Sequence, residues 1–504
     1  MSVSGLGQFA LGQPVPNRDH AVCVSLPTVR DLVGYEEKSP ETLAHLGSGY
    51  PRFVQHRFIR QLIEIQEKTE GKKGKKSFLF ANLQHCHYAI EKFSMGGAKV
   101  YERDGFTWMQ VDKGSKDAVN TNAFLQHTGG SISSRQAENI LAKNEFLKQK
   151  EKSSDRGNPI DFAQKIIAKV HGKGVSSEKV LFASSGANAF YALFRSAYYH
   201  GLQKGKTLWV RLGWLYLDTI ETMELIAEKE ADIITLVNPT DLAGLKTIFE
   251  EQGTRIAGIV TEFPTNPLLQ SCELEEVKVL CDQVDALLIV DPTMASPKNA
   301  KVAHLADVLV NSLTKYACSE GDNMIGSLVF PEHSNRGLEL FEPTKNILSP
   351  PFEGDLLRLC EQLPFYSKFV EKTNKSILGI VDFLESSNSI KKVFWAYQKE
   401  NNSSFQKMAG EEKPGCVVSF EVKGDFKSFY NQLRMLKSPS FGTEFSLCCP
   451  YVYLAHYQMT KSAKGIEKLK KAGISPQLCR LSVGLEDPNE IVSTLEDALR
   501  QMEQ

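Results

Sequence analysis

Nowhere among the 504 residues is there an unbroken apolar run of about eighteen, the length a membrane-spanning helix needs. The opening stretch MSVSGLGQFALGQPVPNRDH also lacks the basic-then-apolar order of a secretory signal, so a cytoplasmic location is expected. An excess of charge of one sign is missing too. Fifty-nine Lys and Arg stand against sixty Asp and Glu, a net charge of −1. That balance gives no overall attraction to nucleic acid or to an anionic membrane, and small-molecule partners are expected instead. The ten cysteines are scattered with no C-x-x-C, which excludes a disulfide framework and fits reduced, buried thiols. Cys448 and Cys449 are adjacent, poor geometry for bridging each other. His85-Cys86-His87 has no second ligand cluster at a useful spacing, so no metal is expected. No G-x-G-x-x-G follows a strand, which argues against a dinucleotide-binding oxidoreductase.

What is present is an ordinary globular composition, 42% apolar and 24% charged, in a chain too long for one core. Three regions are expected: an N-terminal α+β extension over residues 1–118, a large domain over 119–350 and a smaller C-terminal α+β domain over 351–504. In the first, Phe58, Ile59, Leu62, Ile63 and Ile65 recur at helical spacing, and the lysines 72, 73, 75 and 76 mark a break. Ser77 to Phe80, Ala98 to Tyr101 and Gly105 to Val111 read as strands. In the last, a mostly helical pattern from about Phe352 to Glu385 leads to strands at Gly415 to Val422 and Leu478 to Val483 and to a closing helix from Pro488.

The chain centres on ALLIVDPTMASPKNAKVAHLADVLVNSLTKYACSEGDNMIG, residues 286–326. Ala286 to Val290 is a branched apolar run that stops at Asp291, and Val308 to Val310 closes another that stops at Asn-Ser-Leu-Thr-Lys. Continuous apolar runs bounded by turn signals fit parallel strands covered on both faces. Ligands of an open parallel sheet sit at the carboxyl ends of its strands, so Asp291, Thr293, Ser312, Thr314 and Lys315 converge on one edge. A lysine there, with hydroxyls one and three residues before it and a carboxylate on a neighbouring strand, suits pyridoxal phosphate. The amine can form a Schiff base, the hydroxyls can hold a phosphate, and the carboxylate can keep a pyridine nitrogen protonated. Val180 to Ala187 is a strand running into a glycine turn and then a helix, which points the backbone N–H groups of Gly186 and Ala187 at an anion.

The segments VLFASSGANAF, TEFPTNPLL, LIVDPTMASP, NSLTKYACSEGDNMIGS and LCRLSVGLEDP, in this order and spacing, resemble the Cys/Met-metabolism family of pyridoxal phosphate enzymes. Within it they are most similar to the fungal-type cystathionine gamma-synthases. HAVCVSLPTVRDLVGYEE, SGYPRF, FLQHTGGSISSR and SPSFGTEFSLCCPYVYLAHY extend the likeness from about His20 to the C-terminus.

The resemblance implies a fold-type I, transferase-like α/β architecture: a mostly parallel central sheet with helices on both faces, plus the smaller domain and the extension. It implies pyridoxal 5'-phosphate as cofactor, with Lys315 catalytic, Asp291 on the ring nitrogen and Asn266 on the phenolic oxygen. Arg480 would clamp the substrate carboxylate, with Ser440 in the same pocket. Arg135, in HTGGSISSR, would reach a neighbouring subunit's cofactor phosphate, so a homodimer or homotetramer is expected. Two departures stand out. Ser133 replaces a tyrosine that many relatives carry. Leu212, in LWVRLGWLYLDT, falls where shorter relatives have a ring stacked on the cofactor, a role left to Tyr216 or Trp214, with Tyr216 preferred.

The activity implied is γ-replacement: an O-acylhomoserine and cysteine give cystathionine, in transsulfuration and methionine biosynthesis. Lyase and sulfhydrylase relatives share Lys315 and Asp291, and a non-catalytic relative is the remote alternative.

Overall fold

The computed structural model describes residues 3–47, 54–69, 74–103, 105–152, 156–399 and 402–503. The segment SGYPRF, and the lysines at 72 and 73, lie outside the described residues.

Seven strands form the central sheet, in the order Val180–Ala183, Gly326–Val329, Val308–Ser312, Leu287–Asp291, Ile256–Glu262, Leu208–Leu212, Ile233–Leu236. Pairings from Val308–Ser312 outward are parallel, and Gly326–Val329 runs antiparallel to both neighbours. The sheet is therefore mostly parallel, as expected. Its strands are apolar throughout because both faces are covered, and successive side chains alternate between two cores. Ile259, Leu288, Val290 and Leu309 enter one core, with the helices Pro159–His171 and Leu274–Gln283. Val260, Leu287, Ile289 and Val310 enter the other, with the helix Gly186–Gln203. Polar side chains are left for the strand ends.

A second sheet, Ile390–Phe394, Val417–Val422, Cys479–Ser482, Leu447–Pro450 and Leu436–Lys437, forms the C-terminal part. The helix Pro488–Glu503 covers it, and the 34-residue helix Glu353–Ser386 leads into it. The third sheet, Lys75–Phe80, Phe106–Asp112 and Lys99–Arg103, is antiparallel and belongs to the N-terminal region.

Two features of the outer regions stand out. Residues 14–46 do not join this third sheet: Val15, Val24, Leu26, Leu32 and Tyr35 are buried in the C-terminal core. Leu26 N–H donates to Lys437 O and Tyr430 Oη donates to Leu26 O, so the segment is held by groups four hundred residues away in sequence. The helix that follows Ser133 is Ser134–Lys143. It stops because Glu145 takes a left-handed φ of 61° while Phe146 N–H bonds back to Leu141 O, closing the helix end.

Charge ties the first residues to the central body. Asp322, fully buried, accepts from Arg18 Nη1 at 2.8 Å, Arg358 Nε at 3.0 Å and Gln362 Nε2 at 3.0 Å. Burial alone would push its carboxyl up; Arg358 and Arg135 outweigh that and hold it below the ordinary value of 3.8. Removing one member leaves buried charge uncompensated, so Asp322→Ala is expected to cost roughly 3–5 kcal/mol in urea unfolding at pH 7. The folded state lowers this pKa, so its contribution is present above pH 3.8 and is lost as pH falls through the folded value. The difference between wild type and variant should accordingly shrink below pH 3.8. An unchanged midpoint at pH 7 would contradict the assignment.

Candidate active site

The carboxyl ends of the central strands open into a cavity of about 1040 Å³, walled on its far sides by the C-terminal sheet and by the N-terminal region. Lys315, Gly186, Ala187, Tyr216, Asn266, Asp291, Thr293, Ser312, Thr314, Ser440 and Arg480 all line it.

Each owes its place to a local reason. Asp291 is the last residue of its strand, and Thr293 N–H donates to its Oδ1 at 2.8 Å. Thr293 Oγ1 in turn accepts from Ser312 N–H at 3.0 Å and donates to Asn311 Oδ1, so one hydroxyl locks two strand ends together. Gly186 opens its helix directly against Ser312. A side chain there would put its Cβ 2.9 Å from Ser312 Cβ, so only glycine lets this serine meet the helix N-terminus. Ser185 caps that helix by accepting from Asn188 N–H. The result is a backbone cradle with a hydroxyl beside it, suited to a phosphate.

Lys315 follows the Val308–Ser312 strand in a tight turn and is 7% exposed. Its Nζ donates to Ser440 Oγ at 2.9 Å. Arg480, from the C-terminal sheet, donates through Nη2 to Ser440 O at 3.0 Å and through Nη1 to Asn266 Oδ1 at 2.7 Å. Ser440 manages both contacts with a φ of 105°, a conformation that side-chain-bearing residues rarely adopt and that collects at functional sites. Because arginine only donates, Asn266 Oδ1 must face it, which turns the amide N–H groups of Asn266 the other way. Arg480 Nε is buried with no partner among the described residues.

Burial pushes Asp291 up to about 6, opposed by its bonds to Thr293. Beside it, in register on the adjacent strand, Glu262 is pushed up to about 8, first by burial and then by Asp291. Its Oε1 accepts from Tyr216 N–H at 2.5 Å and its Oε2 from Asn266 N–H at 2.9 Å. Glu262 was not among the candidate site residues read from the sequence. Also missed was Phe441, whose ring centroid lies 5.2 Å from Lys315 Nζ and 5.0 Å from Arg480 Cζ. A phenylalanine next to a candidate serine was the available signal. Ile59, Ile63 and Phe78 of the N-terminal region line the same cavity, which no local pattern announced.

Leu212 is fully buried in the core and does not line the cavity. Trp214 donates its indole N–H to His456 Nε2 at 3.1 Å, leaving Tyr216 as the lining aromatic of this segment.

Arg135 is not brought to the site. It is 5% exposed, its Nε donates to Glu151 Oε2 at 2.5 Å, and its Nη1 donates to Asp322 O at 2.8 Å and Asp355 Oδ1 at 3.4 Å. Within this chain its guanidinium is surrounded by carboxylates.

The Cys/Met metabolism PLP-dependent enzyme family matches residues 114–500. The chain belongs to this family. Pyridoxal phosphate is accordingly its cofactor, and the side-chain-free cradle, the buried acid and the cavity lysine fit that group.

Over 496 aligned residues the chain is 27% identical to L-2-amino-4-chloropent-4-enoate dechlorinase/desaturase of Streptantibioticus cattleyicolor, covering 98% of each. To cystathionine gamma-synthase of Neurospora crassa it is 23% identical over 624 aligned positions, covering 98% of this chain and 99% of that one. Among solved structures, cystathionine gamma-synthase from Xanthomonas oryzae, in complex with aminoacrylate and cysteine, superposes with a TM-score of 0.59 at 22% identity, over 69% of this chain and 87% of that one. Cystathionine gamma-lyase from Lactobacillus plantarum gives 0.59 at 20%, over 71% and 92%. These confirm the fold-type I expectation. No described helix is long and apolar enough to cross a membrane.

If Arg135 serves the fold, Arg135→Met should lower unfolding free energy by roughly 3–5 kcal/mol. Cofactor affinity of the folded protein, read by absorbance titration, should stay within about twofold. Weakened cofactor binding at undiminished stability would return Arg135 to the cofactor.

Proposed function

We propose that this enzyme carries out γ-replacement, joining an O-acylhomoserine to cysteine to give cystathionine, a carbon–sulfur bond-forming transfer in transsulfuration. The observation that supports this most is the shared attachment of Lys315 and Arg480 to Ser440, at 2.9 and 3.0 Å, which fixes an amine relative to a carboxylate clamp.

Gly186 and Ala187 hold the cofactor phosphate through their backbone, with Ser312 and Thr314 supplying hydroxyls. Asp291, supported by Thr293, retains the proton on the ring nitrogen. Asn266 offers its amide to the phenolic oxygen, and Tyr216 supplies an aromatic side to the ring. The pyridoxal ring, when bound, withdraws electrons from the substrate's Cα and so acidifies the hydrogens at Cα and Cβ.

Arg480 grips the α-carboxylate and Ser440 lines the same side, so the Cα hydrogen is directed at Lys315. The lysine amine removes that proton and moves protons at Cβ. The acyloxy group leaves Cγ as its carboxylate with the bonding electrons, the cysteine thiolate adds to that carbon, and the lysine returns the protons it took to Cβ and Cα.

A second reading, elimination with no incoming thiol, is favoured by the alignment with the Streptantibioticus enzyme. It covers 98% of both chains in 496 residues, where the Neurospora synthase takes 624 aligned positions. The name of the former's substrate puts chlorine on carbon 4, the γ-carbon of a 2-amino acid. The two readings therefore share departure of a Cγ substituent and differ in whether a nucleophile follows.

The test is mass spectrometry of products from the holoenzyme with O-acetylhomoserine or O-succinylhomoserine, with and without cysteine. Cystathionine only with cysteine is expected; oxobutanoate and ammonia regardless of cysteine would establish elimination instead. Under either reading Lys315→Ala should lower turnover by roughly a thousandfold or more.

A further inference from the structure

Glu262 lines the cavity at the end of a central strand. It ends the strand Ile256–Glu262 in register with Asp291, at 5% exposure. Its two oxygens receive two different backbone segments: Tyr216 N–H, at the start of the helix Leu217–Ile226, and Asn266 N–H, in the turn that follows the strand. From Asn266 the bonds continue through Oδ1 to Arg480 Nη1, through Arg480 Nη2 to Ser440 O, and from Ser440 Oγ to Lys315 Nζ. One carboxylate is thus the first link of a hydrogen-bonded chain ending at the lysine amine.

We propose that Glu262 is a positioning residue of this active site, setting Tyr216, Asn266 and Arg480 relative to one another and, once a bound cation beside the pair favours its ionised form, adding a second negative charge beside Asp291. The proposal rests on the roles given above to Lys315, Asp291 and Arg480. A plain turn support would need one backbone bond; this carboxylate makes two, to two separate segments that both line the cavity. The charged and titratable groups facing it are Asp291 on the neighbouring strand, Arg480 from the C-terminal sheet and Tyr451, which borders Arg480 with its ring centroid 5.6 Å from the guanidinium carbon. Each of its two functions depends on a different property. Positioning requires length and two acceptor oxygens, whereas the field at the cofactor requires only charge.

Two substitutions separate these. Glu262→Gln keeps the length, removes the charge and leaves one of the two N–H groups without an acceptor. Glu262→Asp keeps the charge and is one methylene too short to reach both. For each holo-protein, the pH titration of the bound cofactor's visible absorption band, the cofactor dissociation constant and the KM for the amino-acid substrate are measured.

Removing a negative charge near a cation lowers that cation's pKa. Glu262→Gln should therefore move the spectral transition to lower pH by about half a unit to one unit, and weaken cofactor binding about tenfold. Glu262→Asp should restore the transition toward wild type while KM stays raised about tenfold or more, because Arg480 is no longer held through Asn266. A transition, dissociation constant and KM all unchanged in the Gln variant overturn the proposal, as does an aspartate that restores KM in full. Lys315→Ala is the control for the underlying reading. If it keeps the wild-type visible band, the assignment of the cofactor lysine fails, and the proposal with it; if the band is lost and Glu262→Gln is silent, only the proposal fails.

Discussion

A parallel sheet buried on both faces has nowhere to put polar side chains except at its strand ends, and this constraint governs the rest of the molecule. Val290 and Val310 are within 2% of full burial, while Asp291 and Ser312, next in line or two residues on, stand on the cavity wall. Helices cover the two faces, so the carboxyl edge is where charged groups can gather. The C-terminal sheet then brings Arg480 to the same edge, and Ser440, in a left-handed conformation, joins it to Lys315.

Desolvation gives that edge its chemical character. Two carboxylates in register, Asp291 and Glu262, both rise above the ordinary acid range because burial penalises their charge, and Glu262 is raised further by Asp291. Such a pair favours a bound cation, which a protonated pyridine nitrogen supplies. The same logic runs the other way at Asp322, where Arg18, Arg135 and Arg358 surround a buried acid and hold its pKa down. One arrangement makes a binding site and the other a structural fastener. The difference lies in whether the surrounding cations come from the protein.

The sheet and most of its edge were legible in sequence because both signals are local. Branched apolar runs announced the strands at Leu287 and Val308, and the polar residues that stopped them were the ones found at the cavity. Gly186 was legible for the same reason, a glycine between a strand and a helix. Arg135 was harder to read because a glycine pair, hydroxyls and an arginine look alike in a phosphate site and in a buried ion pair. Its partners within this chain, Asp322 and Asp355, lie 187 and 220 residues further on. Glu262 went unappreciated because its partners' donors are backbone N–H groups, which no side-chain pattern advertises. Residues 14–46 pack into the C-terminal core through apolar contacts that no local pattern announces.

The central claim is that the strand-end geometry makes Lys315 the residue that carries the cofactor. Borohydride reduction of the holoenzyme, followed by proteolysis and tandem mass spectrometry, tests this most directly. The account predicts a single reduced pyridoxal phosphate adduct on the peptide containing Lys315; an adduct on another lysine, with Lys315 unmodified, would contradict it.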